Sequence, residues 1–285
     1  MLRTLGRTGI QVFAIGMGAM PLSLRGRPDE AAAERTLRAA LDAGVNFFDT
    51  ANSYCVDDQD TGHNERLLAT LLRKLGVWDR VLVATKGGFT RPGGGWRVDA
   101  RPASLRKACE QSLRDLGVET IALYQLHHPD TRAPWEDSVG ELSRLRGEGK
   151  IHHIGLSNVN SDQIRSALSI TPVVSVQNEC NPKVQGDLHN GVVRLCEEQG
   201  LTYIAYCPVG GGSGHRSQSR NPTLVRLARE RGVSAYQVML AWLLSKGNHM
   251  LPIPGASRPE SIQDSARAVA VALDEQAQRQ VDLLR

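Results

Sequence analysis

The segment VLVATKGGFTRPGGGWRVDARPASLRKACEQSLRDLGVETIALYQL, residues 81–126, reads as a strand, a helix and a second strand. VLVAT at 81–85 is apolar on both faces, which suits a strand buried on both sides of a parallel sheet. ASLRKACEQSLRDLG spaces Leu105, Cys109 and Leu113 four apart, on one face of a helix. IALYQL at 121–126 is the next strand, and GGFTRPGGG at 87–95 is punctuated as a loop.

The alternation continues in both directions. Upstream, DEAAAERTLRAALDAG is a helix with Leu37 and Leu41 on one face and Gly44 at its end, VNFFD is a strand, and a helix covers about 64–75. Ahead of these, LRTLGRTGIQVFAIG holds two short extended pieces around Gly6 and Gly9, a small hairpin before the first barrel strand. Downstream, a helix over about 135–147 precedes the strand IHHIGLS, one over roughly 161–169 precedes VVSVQ, and one over about 187–199 precedes LTYIAY. NPTLVRLARERG and SAYQVMLAWLLSKG are helical, and MLPIPG closes the series as a short strand. GGGSG at 210–214 reads as a loop, and the polar stretch GHRSQSRNP after it as a mobile one.

About eight strand–helix units, with no linker or break in composition, predict one domain over 1–285: a (β/α)8 TIM barrel with a short N-terminal β-hairpin. An open, doubly wound sheet is disfavoured because GMGAMP, with Gly16, Gly18 and Pro21, does not complete the GxGxxG turn and its helix.

Composition narrows the class. The 285 residues are 41% hydrophobic and 22% charged, with a net charge of +4 spread along the chain, a balance that gives no nucleic-acid footprint. No run approaches a membrane span, and MLRTLGRTGIQV has neither the apolar core nor the cleavage site of a secretory signal. Cys55, Cys109, Cys180, Cys196 and Cys207 are scattered, odd in number and form no CxxC pair, so a disulfide framework, a zinc site or other bound metal is not expected. The reading is a cytoplasmic protein with reduced thiols.

Functional groups of such a barrel belong at the C-terminal ends of its strands. Asp49 ends VNFFD, Tyr54 lies five residues on, Lys86 follows VLVAT, and His127 follows IALYQL. Reduction of a carbonyl needs a proton donor at oxygen while hydride reaches carbon. A free tyrosine, with a pKa of about 10, is a reluctant donor or base near neutrality. A neighbouring ammonium, here Lys86 paired with Asp49, favours its phenolate, and His127 is suited to hydrogen-bond the substrate oxygen. Each residue also has an ordinary reading: Asp49–Thr50 as a turn cap, Tyr54 as loop packing, Lys86 as a solvated strand end, and His127–His128–Pro129 as a turn.

The motifs VNFFDTANSY, VATKGG, YQLHHP, IGLSN, VQNE, YCPVGGG and PIPGASRPE, in this order, resemble the aldo-keto reductase family through nearly the whole chain. The resemblance implies Asp49, Tyr54, Lys86 and His127 as the catalytic set, with Tyr54 as acid or base. It implies an extended nicotinamide cofactor across the barrel mouth, NADPH by preference with NADH as the alternative. Ser157, Asn158 and Gln177 then look like the carboxamide contacts, Tyr206 like the platform under the ring, and Gly255, Ala256, Ser257 and Arg258 like the loop at the adenosine phosphate.

The sequence departs from that pattern in several places. Ser261 stands where an arginine is frequent, and Ser265 where an asparagine is common, which weakens tight NADPH selectivity. Cys55 follows Tyr54 and Cys207 follows Tyr206; neither has a partner that would make it a nucleophile, so both read as packing residues. The chain ends soon after ALDEQAQRQVDLLR, so a long C-terminal specificity loop is not expected, and the substrate is expected against Met20, Trp96, His128 and the 209–219 loop. The expected partner is a small carbonyl or alcohol, handled by a monomer or weak homo-oligomer, with no nucleic acid and no membrane. Three alternatives stand beside this reading: a dedicated metabolic reductase such as a pyridoxal-type enzyme, a cofactor-binding accessory subunit with little turnover, and a barrel lyase or isomerase.

Overall fold

The structure is a computed structural model that describes residues 1–284; Arg285, the last residue of the expected 1–285 domain, lies outside them. The chain opens with an antiparallel hairpin, β1 (Leu2–Thr4) and β2 (Gln11–Phe13), whose turn holds Gly6 and Gly9 at positive φ. Eight parallel strands then form one sheet: β3 (Met17–Gly18), β4 (Phe47–Asp49), β5 (Leu82–Gly87), β8 (Ile121–Leu126), β9 (Ile151–Ser157), β10 (Ser175–Glu179), β11 (Thr202–Tyr206) and β12 (Met250–Pro252). Between β5 and β8 a small hairpin intervenes, β6 (Phe89–Thr90) and β7 (Arg97–Val98).

The two outer strands meet. The Gly16 and Gly18 amides donate to the Pro252 and Pro254 carbonyls, each at 3.0 Å, and Gly18 bridges Gly255 in parallel. The sheet therefore closes into the expected (β/α)8 barrel. Small residues permit this seam. A Cβ on Gly16 would stand 2.8 Å from the Phe47 ring, and one on Gly18 would stand 3.1 Å from the Ile253 carbonyl oxygen.

The helices are α1 (Glu30–Asp42), α2 (His63–Lys74), α3 (Pro102–Leu116), α4 (Trp135–Gly147), α5 (Ser161–Ile170), α6 (Gly186–His189), α7 (Val192–Gln199), α8 (Gly211–Ser219), α9 (Pro222–Arg231), α10 (Ala235–Leu244), α11 (Pro259–Ala266) and α12 (Glu275–Asp282). Their starts follow local chemistry: Asp29 accepts the Ala32 amide at 2.7 Å, and Asn160 with Gln163 forms a reciprocal capping box. The larger core lies between helices and sheet, and it includes Leu37 and Leu105 from the helix stripes read in the sequence.

A second core fills the lower barrel: Phe47, Leu82, Ala84, Leu123, Val174, Ile204, Leu251 and Ile253, with Leu5 and Val12 of the hairpin beneath them. The hairpin is thus a floor. Its Arg3 side chain donates to the carbonyls of Leu244, Gly247 and Met250, and the Gly6 amide donates to Thr202 Oγ1 at 2.7 Å. Burial pulls the Arg3 guanidinium down to about 10.

Two local expectations are corrected. The helix expected over 187–199 is two helices, because Gly191 takes φ +93° between α6 and α7. The glycine-rich start of the stretch from 210 turns as expected, with Gly210, Gly211 and Gly212 all at positive φ, but the polar part that follows is helical within α8, tied down where the buried Gln218 amide donates to Asn181 Oδ1 at 2.9 Å.

Candidate active site

Strand periodicity sets up the site. Along β4, β5, β8 and β11, Phe47, Ala84, Leu123 and Ile204 belong to the apolar filling of the barrel. The residues two further on are Asp49, Lys86, Gln125 and Tyr206, which by the period of two face the same way. The barrel thus changes from an apolar lower part to a polar layer at the C-terminal ends of its strands.

Lys86 is fully buried, and its ammonium has three oxygen partners. It donates to Asp49 Oδ1 at 2.5 Å, to the Thr50 carbonyl at 2.9 Å and to the Tyr54 hydroxyl at 3.1 Å. The loop after β4 makes this possible. Thr50 Oγ1 and Asn64 Oδ1 share a 2.6 Å bond, and Asn64 Nδ2 donates to the Ala19 carbonyl at 2.9 Å, which anchors the loop that turns Tyr54 back over the barrel. The structure therefore brings Asp49, Tyr54 and Lys86 into one hydrogen-bonded unit.

The electrostatics oppose one another. Burial pushes the Tyr54 phenol up; Lys86 pulls it down and Asp49 pushes it up again, leaving it above its ordinary value. The ammonium favours the phenolate, as anticipated from sequence, but dehydration outweighs it. Burial alone would depress Lys86, yet Asp49 and Tyr54 reverse this and hold the ammonium charged. His127 is buried with its Nδ1 unpartnered, and burial, Lys86 and His128 hold it well below the usual imidazole range. It is a neutral ring, a hydrogen-bonding group rather than a cation, and it meets Tyr54 edge to face at 5.7 Å between centroids.

Beside this unit lies a second. Asp49 Oδ2 accepts from Gln177 Nε2 at 2.8 Å and from Gln125 Nε2 at 3.2 Å, and Gln177 Nε2 also reaches Gln125 Oε1 at 3.1 Å. Next to it, the Tyr206 hydroxyl donates to Asn158 Oδ1 at 2.8 Å, while Asn158 Nδ2 donates to the His127 carbonyl at 2.9 Å and to Ser157 Oγ at 3.0 Å. Asn158 takes φ +59°, an uncommon conformation for a non-glycine residue, here held at both ends of its amide. Ser157, Asn158, Gln177 and Tyr206 thus sit against the Asp49–Tyr54–Lys86–His127 set.

Of the residues expected at the substrate, Trp96 and His128 stand in the aromatic cluster around Tyr54 and His127, and Met20 follows Ala19, whose amide donates to the Asp49 carbonyl at 2.9 Å. Trp96 is 46% exposed and meets the Tyr54 ring at 6.3 Å. Phe89, not singled out from sequence, stands edge-on to His127 at 4.7 Å, to Trp96 at 5.6 Å and to His128 at 5.7 Å. Its place in a glycine-rich segment gave no period to mark it. Arg91 stacks on Trp96 at 3.9 Å and donates to the Val56 carbonyl at 3.2 Å, joining two loops of the rim. Met20 is half-buried at the start of a one-turn helix after β3. Burial raises the thiols of Cys55 and Cys207 to about 11, so both are protonated near neutrality, as packing residues are.

Gly255, Ser257 and Arg258 lie on the far side of the seam, after β12. Arg258 is exposed at the N-terminus of α11 and enters no ion pair among the described residues. Sequence reasoning missed Gln125, which sits in an otherwise apolar strand. A cavity of ≈ 380 Å³ opens at the opposite end of the barrel, lined among others by Arg38, Asp42, Asn46 and Arg80. It contains none of these groups.

The fold and this polar layer define a barrel with a buried tyrosine–lysine–aspartate unit at its mouth. A model of the aldo/keto reductase family matches residues 14–285, and the chain belongs to that family. "Probable aldo-keto reductase 1" of Glycine max is 32% identical, over 97% of this chain and 86% of that protein. The glycerol dehydrogenase of Gluconobacter oxydans superposes with a TM-score of 0.84 at 25% identity, covering 99% and 94% of the two chains. An aldo/keto reductase of Klebsiella pneumoniae, solved with NADP and acetate, gives a TM-score of 0.82 at 26% identity, covering 98% and 94%. Membership supports NAD(P)H-dependent oxidoreductase chemistry on carbonyl or alcohol substrates.

Proposed function

We propose that the protein is a single-domain, NADPH-preferring reductase of aldehydes or ketones, with Tyr54 as the general acid in reduction and the general base in alcohol oxidation. The observation that carries this reading is the Lys86 ammonium, 3.1 Å from the Tyr54 hydroxyl and 2.5 Å from Asp49. A phenol so placed has a fixed positive charge to stabilise it whenever its proton leaves. Neutral His127 is the donor that orients the carbonyl oxygen and offsets its developing charge.

The residues fit a nicotinamide cofactor. Ser157, Asn158 and Gln177 gather amide and hydroxyl groups of the kind that hold a carboxamide, and Asn158 is locked by Tyr206 and the His127 carbonyl. Tyr206 would lie under the ring, and Gly255, Ser257 and Arg258 would meet the adenosine phosphate, with an arginine fork suited to a 2′-phosphate. Such a cofactor, when bound, supplies hydride exchange with carbon. Trp96, Phe89 and His128 form an aromatic wall suited to an apolar substrate body, while Met20 belongs to the rim. NADH is accepted more weakly. The reading includes a monomer or weak homo-oligomer in the cytoplasm.

The test is Tyr54→Phe. Loss of the hydroxyl removes proton transfer, a step worth roughly 10²–10⁴-fold, and leaves the cofactor groups in place. We expect NADPH-dependent aldehyde reduction to fall by at least about 100-fold, with NADPH still quenching protein fluorescence at an unchanged midpoint. Full turnover in the variant would refute the assignment.

A further inference from the structure

Resting on that reading, the geometry points to Gln125 as a positioning residue: with Gln177 it holds Asp49 Oδ2, and through Asp49 and Lys86 it sets the charge felt by Tyr54. The Asp49 carboxylate is divided in function. Oδ1 takes the ammonium at 2.5 Å. Among the described residues Oδ2 meets no cation, only the amide hydrogens of Gln177 at 2.8 Å and Gln125 at 3.2 Å. Gln125 in turn accepts from Gln177 at 3.1 Å, so each amide fixes the orientation of the other.

The barrel makes room for Gln125. Its registered neighbour on β9 is Gly155, where a Cβ would stand 2.7 Å from Gln125 Cγ and 3.2 Å from Oε1. Lys86 is its registered neighbour on β5. Gln125 is fully buried in the same layer as the tetrad, yet it touches neither Tyr54 nor Lys86 by hydrogen bond. Its influence passes through Asp49.

The sign follows from the dipoles. An amide N–H directed at a carboxylate partly neutralises it. Removing one donor leaves Asp49 more negative, and a more negative Asp49 disfavours the Tyr54 phenolate. The other groups around Tyr54 are unchanged by the substitution: Lys86 on β5, His127 after β8, and Tyr206 and Cys207 at the end of β11. Because Gln177 also belongs to the proposed carboxamide contacts, the same link couples cofactor seating to the acid.

The experiment compares the full-length protein with Gln125→Met and Gln125→Glu. Ionisation of Tyr54 is read as the alkaline ultraviolet difference between each form and its Tyr54→Phe counterpart. We expect Gln125→Met to move the Tyr54 step upward by about one pH unit, a tenfold change in its ionisation constant. The rising limb of kcat against pH in alcohol oxidation should move with it, while KM for the alcohol stays within about twofold. Gln125→Glu restores a donor only while protonated, so its behaviour should approach wild type at low pH and depart as pH rises.

Coincident Tyr54 titrations in all three proteins would overturn the inference, as would a loss of thermal stability without any change in pH profile, which is the mark of a packing role. If Gln125→Met does not fold, Gln125→Glu alone carries the comparison. Absence of turnover in the wild type would remove the reductase reading, whereas the titration still decides the role of Gln125.

Discussion

At the scale of single residues, Arg258 and Tyr54 illustrate opposite uses of charge. Tyr54 is dehydrated, and its neighbour Lys86 partly offsets that cost. Arg258 stays exposed at the start of α11, outside any ion pair among the described residues. If Arg258 pairs with a 2′-phosphate, Arg258→Ala should weaken NADPH by about tenfold, the scale of one charge-assisted hydrogen bond at a solvent-exposed site. NADH, which lacks that phosphate, should be unaffected, so the two fluorescence midpoints should converge. Equal weakening of both would assign Arg258 a general role in holding the loop. The grouping of Asp49, Tyr54, Lys86 and His127 was legible in the sequence because each lies at the end of a strand or in the loop that follows it. Gln125 was not: in IALYQL it is one polar residue in an apolar run, and its partners Asp49 and Gln177 lie 76 and 52 positions away.

At the scale of elements, the packing of α2 and α3 on β5 hides a carboxyl group. Glu65 on α2 is fully buried, accepts from Thr85 Oγ1 at 2.5 Å, and has an unpartnered second oxygen. Burial raises it to about 7, against the pull of Thr85. Since the folded value lies above the ordinary carboxylate value, the folded protein binds the proton more tightly than the unfolded chain. Its contribution is complete below the unfolded pKa of about 4.5 and is lost as pH rises through about 7. The differential is on the order of 3 kcal/mol. Glu65→Gln should therefore flatten the dependence of the urea midpoint between about pH 5 and about pH 8, whereas the wild type weakens over that interval. An equal fall in the variant would place the pH sensitivity elsewhere. At this scale the sequence foretold most elements from their periods, but the helical part of α8 emerged from the polar run after Gly212, which has no apolar period to mark it.

At the scale of the whole molecule, the hairpin floors one end of the barrel while the polar layer of Asp49, Tyr54 and Lys86 occupies the other. Gly6 turns at φ +51° directly against the sheet, and a Cβ there would stand 2.5 Å from the Val174 carbonyl oxygen. Gly6→Ala should cost roughly 1–3 kcal/mol from backbone strain, read as a lower Tm, with kcat per folded molecule unchanged because the floor lies beneath the apolar filling. A matching loss of kcat would mean that the two ends are mechanically linked. By itself, the sequence determined the alternation of strands and helices, the hairpin, and the polar residues at the strand ends, because these depend on local periodicity and on turn chemistry within a few residues. Only the tertiary structure decided which of those residues meet. The closure at Gly16 and Gly18, the pairing of Asp49 with two glutamines from β8 and β10, the wall formed by Phe89, and the dehydration that outweighs Lys86 at Tyr54 all depend on segments brought together by barrel closure, a distance that no local pattern encodes.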